Sequence, residues 1–155
     1  MDKDNLKDQI DVEIENLERL LKENKIIIEK FTANPGFIET RAAGSVLHDF
    51  YCGVEKIFKR IAIFINNELP DGEDWHMELL LQMSRPVNKR SPEVIGSGLF
   101  EKLKECLRFR HLFRNIYGFE LNWERFKNLS LSLDDILCEL KDSIYKFLGT
   151  LKNQH

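Results

Sequence analysis

Between residues 4 and 33 the apolar side chains fall at Leu6, Ile10, Ile14, Leu17, Leu21, Ile28 and Phe31. Steps of three, four and seven put them on one stripe of a long amphipathic helix. "TANPGF" breaks the pattern, because Asn34 precedes a proline and Gly36 follows it. A second helix is predicted from Ile38 to Asn67, with Leu47, Phe50, Tyr51, Val54, Ile57, Phe58, Ile61, Phe64 and Ile65 on its stripe. Pro70, Asp71 and Gly72 supply turn chemistry after it, and Asp74 can cap a short helix, "WHMELLLQM".

"SRPVNKRSPEVIGSG" is the loosest stretch of the chain, with two prolines and two glycines. Ser97 is a plausible cap for a third long helix over 97–117, which carries Leu99, Leu103, Leu107 and Phe113. Gly118 then stands where a left-handed C-cap would stop it. Ser132 or Asp134 can cap a final helix that runs through Leu151, with Ile136, Leu140, Ile144, Phe147 and Leu151 at steps of four, four, three and four. No segment has strand periodicity. The expectation is all-α: an antiparallel up-down four-helix bundle with a short additional helix, forming one domain over residues 1–155.

Composition changes this picture little. The chain has 43% hydrophobic and 32% charged residues, which fits a folded helical domain and not a disordered one. No stretch is apolar and long enough to cross a bilayer, and the first ten residues are acidic and unlike a signal peptide, so the cytoplasm is expected and no membrane. Cys52, Cys106 and Cys138 are an odd number at wide spacing, which reads as buried free thiols and not as a disulfide framework or a zinc site.

Charge is more informative. The net charge of −3 argues against a surface that binds nucleic acid everywhere. From Arg85 to Arg114, however, eight Lys/Arg stand against three Glu, so this segment is +5 and the remainder −8. A local basic stripe on an acidic chain suits an anionic ligand docked at one place, and it equally suits a solvated helix face.

Inside that stripe lies "RFRHLFRNIYGFEL", residues 108–121. On a helical wheel Arg110, Arg114 and Tyr117 share one face, and His111 and Asn115 share another about 100° away. Two guanidinium groups and a phenol beside an imidazole–amide pair form a donor set suited to a phosphodiester. Guanidinium presents a fork to phosphate oxygens, and imidazole moves protons near neutral pH. Taken residue by residue, blander roles stay open. His111 suits a half-buried, hydrogen-bonded position, Arg114 an ion pair with Glu120 or Glu124, and Tyr117 an anchor at the bundle end. His48, next to Asp49 and one turn from Cys52, reads as packing. His76 and His155 receive no role. Glu73 and His76 stand at i and i+3 as in di-metal bundles, but only one such motif exists, so no metal ligands are assigned.

With "LHDFYCGVEKIFKRIA" as a second helix, residues 74–95 as a connecting segment and "RFRHLFRNIYGFEL" as a late signature helix, the chain resembles the HEPN superfamily. Within it the chain is similar to the HepT-like ribonuclease toxins over roughly residues 40–125. The resemblance implies a homodimer with its site where two signature helices meet, and a toxin of a type II/VII-like toxin–antitoxin pair. Its activity would be that of a metal-independent, cofactor-free endoribonuclease that cuts tRNA or mRNA by attack of the 2′-OH. The implied partner is a minimal nucleotidyltransferase (MNT) antitoxin, which in some members AMPylates the Tyr near the motif.

Carried over by position, Arg110 is the motif Arg and Tyr117 the motif Tyr and modification site. The commoner pattern reads Arg-Asn-x-x-x-His-x-Tyr, whereas here His111 and Asn115 have exchanged places, one helical turn or about 6 Å apart. The resemblance then implies Arg110, His111 and Asn115 as the catalytic set, with Asn115 orienting the phosphate or fixing the His111 tautomer. Arg108 and Arg114 would bind RNA phosphate. The alternative is a catalytically inactive protein of the same fold that binds a nucleotide or its partner, and a third class is a purely structural helical adaptor with its Arg110/Arg114 face closed by ion pairs.

Overall fold

A computed structural model describes residues 2–31, 34–86 and 92–151. Lys89, Arg90, His155 and parts of the two predicted breaks lie outside the described residues. Six α-helices follow one another: α1 (Lys3–Glu29), α2 (Phe37–Asn66), α3 (Trp75–Met83), α4 (Ser97–Asn115), α5 (Trp123–Leu131) and α6 (Leu133–Thr150). A single 3₁₀ turn, Gly118–Glu120, lies between α4 and α5.

The helices α1, α2, α4 and α6 close a ring in which each packs on the next, α6 returning to α1. Their directions follow from the contacts. Lys3 reaches the Leu151 carbonyl, Asp11 meets Tyr145 and Glu18 meets Lys141, so α6 runs opposite to α1. Arg60 bonds to Gln9, and Gly53 faces Leu17, which sets α2 antiparallel to α1. His48 lies against Phe113 while Arg110 reaches Cys52 and Glu55, so α4 is antiparallel to α2. The up-down four-helix bundle is as expected. Its core is the predicted stripes, with Leu6, Ile10, Leu17, Leu47, Phe50, Tyr51, Val54, Ile57, Phe58 and Ile61 closed to solvent.

The ends differ from the sequence expectation in three places. Helix α4 stops at Asn115 and not at Tyr117, because Ile116 is extended (φ −122°, ψ 164°). Gly118 is therefore no left-handed cap; among the described glycines only Gly72 has a positive φ. A Cβ on Gly118 would instead lie 2.6 Å from Arg41 Nε, so its bareness makes room for that guanidinium. Ser97 is the first residue of α4, and the capping position is held by Gly96 with no side-chain bond. Asp74 and Ser132 do stand at helix starts, but neither side chain bonds there; Ser132 Oγ donates to the Leu129 carbonyl.

The larger omission is α5. Asn122 caps it by accepting from the Glu124 N–H, and Trp123 and Phe126 bury its inner face. Trp123 meets Phe31 edge-on and Phe126 packs on Phe109, so α5 plugs the end of the bundle beside α4. Two short helices thus flank the late part of α4, with α3 on one side and α5 on the other. Among the described residues all three cysteines are free, but only Cys106 is buried; Cys52 is half-buried and Cys138 exposed, which corrects the expectation of three buried thiols. Among the described residues no helix is long and apolar enough to cross a membrane.

Candidate active-site cleft

Arg110 comes off the buried side of α4 with only 12% of its side chain exposed. An isolated guanidinium cannot be buried cheaply, so it must have partners. Its Nε–H lies 3.4 Å from Cys52 Sγ and 3.5 Å from Glu55 Oε1, both on α2. Glu55 is itself 5% exposed. Its second oxygen, Oε2, is 2.6 Å from His76 Nδ1 on α3. A carboxylate only accepts, so Nδ1 carries the proton of this bond and Nε2 is the remaining free nitrogen. Three helices are thereby tied through one buried carboxylate.

The cluster continues along α2 toward solvent. Cys52 Sγ is 3.8 Å from His48 Nε2, His48 Nδ1 is 3.2 Å from the exposed Asp49, and the His48 ring lies tilted against Phe113 at 4.9 Å between centroids. Tyr51, fully buried, has a hydroxyl with no hydrogen-bond partner. Burial, and then the nearby Glu55 charge, push its phenol well above the usual range, so it stays neutral. Burial likewise pushes the Cys106 thiol up to about 12. The His76 ring lies against Trp75 at 3.6 Å between centroids, and Lys59 Nζ caps the indole at 4.4 Å.

A cleft of about 440 Å³ opens between α3 and α4 at this network. One wall is Glu73, Asp74, His76 and Met77, and the other is Leu107, Arg108, Arg110 and His111. Two imidazoles and two guanidinium groups therefore line one opening. Such a set can hold an anionic group and exchange protons with it.

Of the residues singled out from sequence, the structure brings Arg108, Arg110 and His111 to this cleft. It does not bring Arg114, Asn115 and Tyr117 with them. Arg114 is exposed and makes no ion pair with Glu120 or Glu124. Asn115 turns back, its Nδ2 donating to the His111 carbonyl at 2.7 Å and not to the ring. Tyr117 lies beyond the helix end, 70% exposed and stacked on Phe119, so the Arg110–Arg114–Tyr117 face drawn on a continuous wheel does not exist. The closed face that a structural adaptor would need is half present: Arg110 is paired and Arg114 is open.

Glu55 and His76 were missed as site residues. Glu55 had a signal, because 47, 51, 55, 58 and 62 step by four, four, three and four, which puts an acid inside the apolar stripe of α2. His76 had none strong enough. Its partner is Glu55 and not the Glu73 one turn away, and among the described residues no three His, Cys, Asp or Glu converge as metal ligands would.

No curated protein and no solved structure matches this chain. A family model described as "HepT-like protein" matches residues 42–151, which takes in most of α2, all of α3 to α6 and every residue of the cleft. That span begins close to the resemblance noted from the motifs and runs past it to the end of α6. The chain belongs to the HepT-like proteins of the HEPN superfamily, a family related to toxin-like ribonucleases.

Proposed function

We propose that this chain is a cytoplasmic endoribonuclease toxin that cuts tRNA or mRNA by transesterification. The observation that carries the reading is the cleft: Arg110, fixed by Glu55, stands beside His111 at an opening that Arg108 and His76 also line, with Glu73 and Asp74 on the α3 side. The Nε of Arg110 is engaged, which leaves its two Nη groups to meet a phosphate and the charge that builds on it during attack. An imidazole removes the 2′-OH proton, and the need for that hydroxyl restricts the substrate to RNA. Arg108 and Arg114 are exposed on the same late part of α4 and bind flanking phosphates. Asn115, engaged with its own helix, acts on the phosphate only by giving up that bond. The active unit is a homodimer in which two such helices meet. Its silencer is a minimal nucleotidyltransferase antitoxin that AMPylates Tyr117, whose ring stands out from the fold at 70% exposure.

The test is cleavage of total tRNA and of mRNA in buffer with a metal chelator. Arg110→Ala and His111→Ala are each expected to lower the rate by about 10²-fold or more. Cleavage by both variants at the wild-type rate would sink the assignment.

A second reading is favoured by the exchange of His111 and Asn115, by the pairing of Arg110 with the buried Glu55 and by the bond of Asn115 to its own helix. In it the fold is catalytically inactive and binds its nucleotidyltransferase partner or a nucleotide. Wild-type protein made without the nucleotidyltransferase and carrying no AMP by intact mass, which cuts no RNA yet forms a stable complex with that partner, decides for this reading.

A further inference from the structure

The family motif offers one imidazole, and in this chain His111 is displaced by a turn from the place where that imidazole stands. The structure puts a second imidazole on the opposite wall of the same cleft. His76 is on α3, outside the signature helix, and nothing in the motif points to it. Its ring is fixed on two sides: Nδ1 donates to Glu55, and one face lies against Trp75, whose indole in turn meets Lys59. Its side chain is still 24% exposed, and it lines the opening.

We propose that His76 is a catalytic residue of this site, the general base, with His111 facing it as the general acid; the inference rests on the ribonuclease reading above. Two features separate His76 from a histidine that only ties helices together. Glu55 holds Nδ1 and so leaves Nε2 in the form that accepts a proton. Glu55 is also shared with Arg110, so the group that receives the proton and the group that meets the phosphate are positioned by one carboxylate. Both partners of this buried acid, His76 and Arg110, open on one cleft. Glu55 is a positioning residue, acting through His76 and Arg110.

In the step, His76 Nε2 takes the proton of the ribose 2′-OH as the 2′-oxygen forms a bond to phosphorus. The bond from phosphorus to the 5′-oxygen breaks, and the protonated His111 ring gives its proton to that oxygen. The products are a 2′,3′-cyclic phosphate and a 5′-hydroxyl. Both protons are accounted for, and no further reactant enters. His111 suits the acid role because it is exposed on α4 with no hydrogen bond to its ring among the described residues, free to follow the leaving group.

The experiment uses the full chain and the shortest RNA that the wild-type protein cuts, mapped from total tRNA. That RNA is made twice, with oxygen or with sulfur at the 5′-bridging position of the cut linkage. A thiolate leaves without a proton, so sulfur replaces the general acid and not the base. His76→Ala is expected to slow both RNAs by about 10²–10⁴-fold. His111→Ala is expected to slow the oxygen RNA by a similar factor and to regain most of its rate on the sulfur RNA. If the alanine variant melts early by circular dichroism, His76→Gln keeps a polar side chain for Glu55, and a fall in kcat at unchanged KM is expected. A folded His76→Ala protein that cuts within about threefold of wild type, while Arg110→Ala is inactive, overturns this inference and leaves the ribonuclease reading standing. Wild-type protein that cuts no RNA overturns both.

Discussion

Replacing Glu55 by alanine removes one acid and leaves two partners, Arg110 and His76, without it. The pair with Arg110 is 3.5 Å apart, with side chains 5% and 12% exposed. At an effective dielectric of about 20, Coulomb's law gives roughly 5 kcal/mol of attraction at that distance. Taking both ions out of water opposes this by several kcal/mol each, so the intact pair adds little net stability. Deleting one partner is different, because Arg110 then stays buried and uncompensated, at a cost of about 3–5 kcal/mol. For a chain of this size that is a fall in Tm of about 6–20 °C. Urea unfolding of wild type, Glu55→Ala, Arg110→Ala and the double variant forms a cycle, and a coupling of about 2 kcal/mol is expected. Joint replacement by apolar residues, Glu55→Leu with Arg110→Met, should return the protein to within about 1.5 kcal/mol of wild type. A coupling below about 0.5 kcal/mol would refute the reasoning, since the two charges would then not be sharing a dry site.

Two further outcomes test the surroundings of that site and the far face of the bundle. Tyr51→Phe removes a fully buried hydroxyl that has no partner, so stability should be unchanged or higher by up to about 1 kcal/mol, and a loss beyond that in urea would show that the hydroxyl is bonded. Asp11 is held below its ordinary carboxylate value of 3.8, first by the Tyr145 hydroxyl and then by Lys7. Its folded value being the lower one, the contribution is present above pH 3.8 and is lost as pH falls through the folded value. Tyr145→Phe should therefore melt below wild type at neutral pH, with the gap narrowing as the pH drops under 3.8; a gap that stays constant down to pH 2 contradicts the assignment.

The long helices were legible because burial leaves a period. A stripe of leucines and isoleucines at three and four residues has one stable solution in water, which is to turn inward against another such stripe. The ends were not legible, because they are decided by groups far away in sequence. Nothing local tells Ile116 to become extended; Leu121 and Phe113 pack about Gly44 on α2, and Arg41 occupies the space beside Gly118. The helix α5 was hidden for a related reason. Ser132 both ends α5 and starts α6, so a serine that reads as the cap of one helix is also the stop of another, and "NLSLS", the last turn of α5 and its cap, looks like loop.

The candidate site was half legible, and the division follows from the physics of each side chain. Cations on a solvated helix stand out in a sequence, so Arg108, Arg110 and His111 were found, but so were Arg114, which is exposed away from the cleft, and Tyr117, which the wheel carried past the point where the helix ends. Glu55 is the opposite case. An acid in a charged, helical chain attracts no notice, since 26 of 155 residues are acidic. Its meaning lies in its position on the buried stripe of α2, where an unpaired carboxylate would cost several kcal/mol. That cost forces partners onto the neighbouring helices, and the partners turn out to be Arg110 of α4 and His76 of α3. A charged residue inside an apolar stripe is thus a demand for a counter-charge across the core. Had it been followed from Glu55 outward, it would have led to His76, a cleft residue that neither the motif nor the basic stripe contains.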